Sequence, residues 1–284
     1  MNSRAPGIGT LFIVATPIGN LSDISARALE VLRDVDRIAC EDTRHTAKLL
    51  NHYGIQTPTL SYHEHNEKEK APELVEALLK GSRLALVTDA GTPLVSDPGF
   101  RLVQKAADAG VPVVPIPGAS AVLAALMVSG LATDEFRFCG FLPPKVGARR
   151  TRLASLKEET CTLIFFEAPH RISETLADVE AELGDRPAVV AREVTKMHEE
   201  FLRGTLSELR GRLAGTEPKG EITLVIGRAV AAAADLSHQQ LWEEVRQRER
   251  EGMPRMNAIK DTARTFGLPK RTVYRAVEEG GEGA

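Results

Sequence analysis

Residues 88–99, TDAGTPLVSDPG, concentrate the residue types that shape a ligand site. Two Gly, two Pro and two Asp fall within twelve positions, more than a connection between elements needs. Gly91 and Gly99 permit close backbone approach, while Pro93 and Pro98 fix the loop so that its amides and carbonyls are aimed in advance. The stretch follows a strand-like run, Leu84–Thr88, and precedes a helix-like run, Phe100–Ala109. Parallel α/β proteins place ligands at such strand exits. TPIGN (16–20) and PIPGAS (115–120) are two more exits of the same kind. Ser120 is placed to cap the next helix or to donate to a ligand. In a parallel sheet all three loops open on one carboxyl edge.

Other clusters are polar. In EDTRHT (41–46), Glu41, Asp42, Arg44 and His45 crowd a strand end. They suit a helix N-terminus capped by Asp42 or Thr43, or substrate binding, and the two roles are compatible. His63 and His65 would share one face of a strand, as metal ligands do, but no third ligand is evident and no metal is expected. Lys145, Arg149, Arg150 and Arg152 form a basic segment, either a solvated face or a set of phosphate contacts. FEAPHR (166–171) carries Glu167, His170 and Arg171 to another strand exit, and PKGEITLVI (218–226) sets Gly220 and Glu221 before the last strand. Neither GxGxxG with its distal acid nor GxxxxGK[ST] is present, which argues against hydride transfer and P-loop chemistry.

The elements that must hold these residues alternate. Short apolar runs at 11–16, 36–40, 83–88 and 111–116 read as strands. Helical patterns lie between them at about 25–33, with Asp23 able to cap, 43–52 and 68–79. A second set of strands at 136–141, 161–166, 188–192 and 222–227 is separated by helices at about 150–157 and 172–183. Residues 59–62 and 201–205 are candidate extra strands. Two α/β domains follow, 10–120 and 121–228. After an Ala-rich link at 229–236, residues 236–279 are helical throughout, with a turn at Gly267 and helix-turn-helix spacing. Lys270 and Arg271 belong to a basic bias in this tail that suits RNA.

Composition bounds the function. The chain has 284 residues, 43% hydrophobic and 26% charged, as in a globular protein with sizeable cores. No apolar run is long enough for a membrane span, and the N-terminal residues lack a signal core, so a cytoplasmic location is expected. Three separated cysteines read as buried, reduced thiols. A net charge of −3 does not advertise nucleic-acid binding, which must then rest on local charge.

Taken in order, LFIVATPIGN, EDTRHT, TDAGTPLVSDPG, PIPGAS, GFLP, FEAPHR and PKGEITLVI resemble the tetrapyrrole-methylase-fold S-adenosylmethionine methyltransferases. Within them the chain resembles the branch that modifies small-subunit ribosomal RNA. The wider fold usually carries Gly-Asp-Pro in its central loop, where this chain has Gly91-Thr92-Pro93. The resemblance implies a homodimer, with the cofactor S-adenosyl-L-methionine in the cleft between two α/β domains. It implies contacts from Pro17, Thr92, Leu94, Val95, Ser120, Ala121, Phe166, Ala168, Gly220 and Ile222. The implied reaction is 2′-O-methylation of a cytidine ribose near the decoding centre, on 16S ribosomal RNA or the assembled small subunit. Glu41, Asp42, Glu167 and His170 are the candidate acceptors of the hydroxyl proton. Arg44, Lys145, Arg149, Arg150, Arg152, Lys270 and Arg271 are the candidate RNA contacts. The alternative is methylation of a tetrapyrrole ring, which would leave the basic segment and the tail without a task.

Overall fold

A computed structural model describes residues 7–216, 218–229, 236–266 and 268–279. The first sheet contains β1 (Thr10–Val14), β2 (Arg37–Cys40), β3 (Thr59–Ser61), β4 (Arg83–Leu86) and β5 (Val113–Ile116). Its order is β3-β2-β4-β1-β5 and every pairing is parallel. These strands are continuous apolar runs because helices cover both faces. Phe12, Val14, Ile38 and Ala85 point to one face, against Ala28 and Leu32 of α1 (Ala26–Asp34) and Leu50 of α2 (Thr43–His52). Leu11, Ala39, Leu84 and Leu86 point to the other, against α3 (Glu67–Leu79) and α4 (Phe100–Asp108). Ser25, rather than Asp23, caps α1: its hydroxyl accepts the Ala28 N–H at 3.1 Å, and Asp23 ends a short 3-10 turn.

The chain leaves the first sheet at Ile116 and enters α5 (Ala121–Ser129), which packs on the second sheet. That sheet holds β6 (Phe136–Phe141), β7 (Thr162–Glu167), β8 (Pro187–Arg192), β9 (Glu200–Thr205) and β10 (Ile222–Ile226), in the order β6-β7-β10-β8-β9. Only β6 and β7 run parallel; the other pairings are antiparallel. Val122, Ala125 and Leu126 of α5 meet Ile164, Val189, Ala191 and Val225 on one face. The first domain's Ile18 joins this same cluster. The opposite face is covered by α6 (Val146–Ala154), α7 (Ile172–Leu183) and α8 (Leu206–Leu213). Helix α8 lies outside the elements expected from the sequence. Its signal was there, for Thr205 and Glu208 form a complete capping box.

Helix α6 begins at Val146, a turn earlier than the helix expected at about 150–157, and it turns Arg149 inward. Arg149 and Leu153, four residues apart, are the helix's buried positions. With 1% of its side chain exposed, Arg149 donates from Nε to Asp178 Oδ2 at 2.6 Å and pairs with Glu174 at 3.4 Å. It is therefore not an RNA contact: a guanidinium enclosed in an ion pair cannot reach a phosphate. Arg150 shares Asp178, at 2.7 Å, but keeps about half of its side chain exposed (54%). Cys40 is buried as expected, whereas Cys139 and Cys161 are only half-buried; all three are free thiols.

The tail forms α9 (His238–Arg250), α10 (Arg255–Thr265) and α11 (Lys270–Glu279) around its own core of Leu241, Val245, Ile259 and Val273. The turn expected at Gly267 and most of the 229–236 link lie outside the described residues. Among the described residues no helix is long and apolar enough to cross a membrane.

Removing Arg149 leaves the buried Asp178 carboxylate with only the half-exposed Arg150 to answer it. Arg149→Met is expected to lower the unfolding free energy by about 3 kcal/mol. Arg150→Ala, at a half-exposed and solvent-screened pair, should cost far less. Urea titrations of the two variants, at constant slope, check the contrast.

Candidate active site

The three Gly/Pro-rich exits follow β1, β4 and β5, which are neighbours in the sheet, so they meet at one edge. Hydrogen bonds tie them together. The Thr16 N–H donates to Gly91 O at 2.8 Å and the Gly91 N–H returns to Thr16 O at 3.1 Å. Thr92 Oγ1 donates to Ala119 O at 3.2 Å, and Thr16 Oγ1 to Thr88 O at 3.1 Å. Gly91 sits at φ +85°, and a Cβ there would lie 3.2 Å from the Ile18 side chain. Beyond it, Leu94 (φ 72°) and Ser96 (φ 67°) hold left-handed backbone without being glycine. Such conformations cost on the order of 1 kcal/mol or more each and cluster at ligand sites.

A cavity of about 350 Å³ opens beside these loops, within the size range of small-molecule sites. The exits of the first sheet contribute Ile18, Thr92, Val95 and Ser120; α5 and the second sheet's strand ends contribute Ala121, Phe166, Ala168, Gly220 and Ile222. Eight of the ten positions singled out as cofactor contacts are thus brought together. The other two are not. Leu94 turns its side chain into the first domain's core, beside Gly99, and has only backbone to offer. Pro17 lines a neighbouring hollow with Thr16, His45, Lys48 and Asp89. Asp89 borders both spaces. Ser120 is the N-cap of α5, its hydroxyl accepting from Leu123 N–H at 3.4 Å.

The candidate proton acceptors separate by environment. Glu167 has a fully buried side chain that accepts from Thr175 Oγ1 at 2.6 Å, the Ala168 N–H at 2.7 Å and Arg171 Nη2 at 3.2 Å. Its oxygens are occupied, so it is a clamp and not a free base. His170 is exposed on the turn Pro169–Arg171 and does not line the cavity. Asp42 caps α2 and grips Arg44 through both oxygens, at 3.1 and 2.8 Å. Those hydrogen bonds hold its carboxyl well below the usual range, which makes it a poor acceptor. Arg44 still leaves 89% of its side chain exposed.

Glu41 is half-buried, and burial pushes its carboxyl up, helped by the charge of Asp89. Asp97 lies in the cavity wall. Burial pushes its carboxyl up to about 6, and the like charges of Glu41 and Asp89 act in the same direction. Asp89 accepts the Asp42 N–H at 3.2 Å, which ties the acidic edge to the cap of α2. The rings of His63 and His65 meet edge-on at 5.9 Å, and no group of three metal-binding side chains occurs among the described residues. Asp97 and Phe141 stand in the cavity wall without having been singled out by sequence. Their only signal was membership of TDAGTPLVSDPG and GFLP.

Of the basic residues, Lys145 is exposed and Arg152 half-buried, and neither forms an ion pair among the described residues. Lys270 and Arg271 are exposed on α11, and Arg271 borders a shallow hollow with Tyr274 and Arg275.

Residues 10–210 match the family described as tetrapyrrole (corrin/porphyrin) methylases. The chain is 51% identical over 274 residues to the ribosomal RNA small subunit methyltransferase I of Mesorhizobium japonicum, covering 95% of this chain and 91% of that protein. It is 48% identical to the protein of the same name from Synechocystis, covering 94% and 97%. Among solved structures, it is similar to the methyltransferase CobJ, with TM-score 0.59, 18% identity and coverage of 78% and 95%. It is also similar to uroporphyrin-III-C-methyltransferase from Thermus thermophilus, with TM-score 0.55, 19% identity and coverage of 77% and 94%. At these identities the structural likeness speaks for the fold.

The Asp97 carboxyl carries a testable sign. Its folded-state value, about 6, lies above the ordinary 3.8, so the fold binds its proton more tightly than the unfolded chain does. Stability therefore falls as pH rises from 3.8 to about 6 on this account. Asp97→Asn should remove that fall, so that the variant melts higher than the parent at pH 7 and equal to it near pH 3. Calorimetric melting across this range checks it.

Proposed function

The chain belongs to the tetrapyrrole (corrin/porphyrin) methylase family, and on that footing we propose that it methylates small-subunit ribosomal RNA at the 2′-oxygen of a cytidine near the decoding centre. The cofactor is S-adenosylmethionine. The observation that carries the reading is the cavity shared by the two domains. Its residues fit the donor. Ile18, Val95, Val122, Phe166 and Ile222 would hold the adenine in an apolar slot, with backbone edges open at Gly91 and Gly220. The carboxylate of Asp89 would face its cationic end. When bound, the donor supplies an electrophilic methyl group on a sulfonium. The names of the relatives support ribosomal RNA as the acceptor.

The chain's own task is to hold a ribose hydroxyl in line with that methyl group and to keep water out. Positioning of this kind contributes roughly 7–11 kcal/mol. A proton acceptor adds about 10²–10⁴-fold. We assign the acceptor to Asp97, whose raised pKa suits proton transfer near neutral pH and whose side chain borders the cavity. Glu41 and Asp89 act through it by charge. Glu167 and Asp42 hold structure. Lys145 and Arg152, with Arg44 and the α11 residues Lys270 and Arg271, would meet phosphates, and half-exposed Arg150 would share that edge. We further take the protein to work in the cytoplasm as a homodimer. Helix α5 supports the homodimer by presenting Leu123, Met127 and Val128 outward, with Met127 76% exposed.

The deciding experiment offers labelled S-adenosylmethionine with small ribosomal subunits, with their naked RNA and with a free tetrapyrrole. Label in the RNA, located on a cytidine 2′-oxygen, is expected; label in the tetrapyrrole alone would overturn the reading. Val95→Asp, which buries a carboxylate without a partner in the cavity wall, should abolish cofactor binding measured by calorimetry while the fold persists.

Truncation after Ala234 removes the three tail helices, while every cavity residue precedes 224. Methyl incorporation into the ribosomal substrate should drop while the cofactor dissociation constant is kept. Full activity of the shortened chain would leave the tail outside substrate recognition.

A further inference from the structure

The pairing of β6 with β7 slips along its length. Phe138 stands opposite Ile164, but Phe141 stands opposite Phe166, so three steps on β6 match two on β7. This is a β-bulge, and Gly140 takes up the extra residue at φ +69°. Side chains alternate along a regular strand, so three steps would send Phe138 and Phe141 to opposite faces. The bulge instead brings both onto the face of Phe166. The Phe138 and Phe166 rings meet at 4.9 Å, and those of Phe141 and Phe166 at 5.5 Å. Phe141 thereby becomes part of the cavity wall while remaining 59% exposed. A large aromatic ring aimed at a ligand cavity and left open to water is a surface shaped for a flat partner.

The loop after it is held rigid. Arg171 Nη2 donates to Leu142 O at 2.8 Å and to Pro143 O at 3.4 Å. Arg149 Nη1 donates to Pro144 O at 3.5 Å. The two guanidiniums are anchored in turn on the buried carboxylates of Glu167 and Asp178. Three successive carbonyls are thus pinned, and Pro143 and Pro144 restrict the backbone further. This fixes the chain from Phe141 to the exposed Lys145, which forms no ion pair among the described residues, before any substrate arrives, and so lowers the ordering cost of binding. An open π-face followed four residues later by an exposed cation suits a splayed-out nucleotide, the base stacking on the ring and the phosphate meeting the charge.

We propose that Phe141 is a stacking platform for an unpaired base of the RNA substrate, held at the methylation cavity with Lys145 on the phosphate. The proposal rests on the ribosomal RNA reading above and deepens it by naming what orients the substrate. Arg149 and Arg171 are then positioning residues that act through the loop.

The test compares Phe141→Ala, Phe141→Leu and Phe141→Tyr at saturating S-adenosylmethionine, with small ribosomal subunits as acceptor. Stacking is expected to make Phe141→Ala and Phe141→Leu raise KM for the subunits by roughly 5- to 150-fold. The cofactor dissociation constant should stay unchanged, and Phe141→Tyr should behave as the parent. A parallel loss of cofactor affinity would overturn the proposal, since the ring would then serve the donor's adenine. Leu performing as well as Phe, or Ala without effect, would overturn it too. A second readout stands apart from turnover. Trp242 is the chain's sole tryptophan, so Phe141→Trp combined with Trp242→Phe places a single reporter at the bulge. Its fluorescence should be quenched by a single-stranded RNA oligonucleotide and not by S-adenosylhomocysteine; no quenching by RNA would overturn the platform. If the parent protein transfers no label to subunits or their RNA, the ribosomal reading fails, and the fluorescence result still judges the platform by itself.

Discussion

The reciprocal pair of backbone hydrogen bonds between Thr16 and Gly91 is the constraint on which the site depends. It joins the exits of β1 and β4 outside the sheet, and Thr92 extends the tie to the exit of β5 through Ala119. Without these bonds three Gly/Pro-rich loops would be independent turns. With them they form one surface, and Ile18 is carried across it into the core of the second domain. Because that residue is a core residue of its neighbour, the cavity wall is held by hydrophobic burial as well as by hydrogen bonds. The positive φ angles at Leu94 and Ser96 are tolerated for the same reason: both ends of their loop are fixed.

A second set of interactions works from behind the cavity. Glu167 and Asp178 are buried carboxylates, each facing an arginine whose remaining donors reach loop carbonyls. Residue type alone makes these groups look like catalytic acids and RNA-binding bases. Their burial assigns them otherwise, because an enclosed ion pair with satisfied hydrogen bonds has no spare capacity for a substrate. The consequence is an ordered edge at Phe141–Lys145 next to a cavity lined by both domains.

The carboxylates at the sheet edge follow the opposite logic. Glu41 and Asp97 are partly desolvated, which pushes their carboxyls up, and the charge of Asp89 acts on both in the same direction. Asp42, a few residues from Glu41, is pulled in the other direction by Arg44. Acids gathered at one edge thus acquire separate protonation behaviour, which is how a single site keeps one group near neutrality while a neighbour stays ionised.

The alternation of apolar runs with helical spacing was enough to read the parallel first sheet, and the three strand exits were legible from glycine and proline alone. Helix α8 was missed although its capping box is written in the sequence at Thr205 and Glu208. The antiparallel pairings of the second sheet had no local signal, because strand direction depends on connections that only the assembled chain makes. Individual side-chain roles were the least legible. Arg149 and Arg150 are adjacent and identical in type, yet a 100° step around α6 buries one and exposes the other. Phe141 gained its place in the cavity from a single bulged residue that no spacing rule would reveal. Local chemistry, set by residue type and period, was determined by the sequence itself. Which groups are desolvated, and so which are free to act, was decided only by the tertiary structure, because burial is a property of everything packed around a residue.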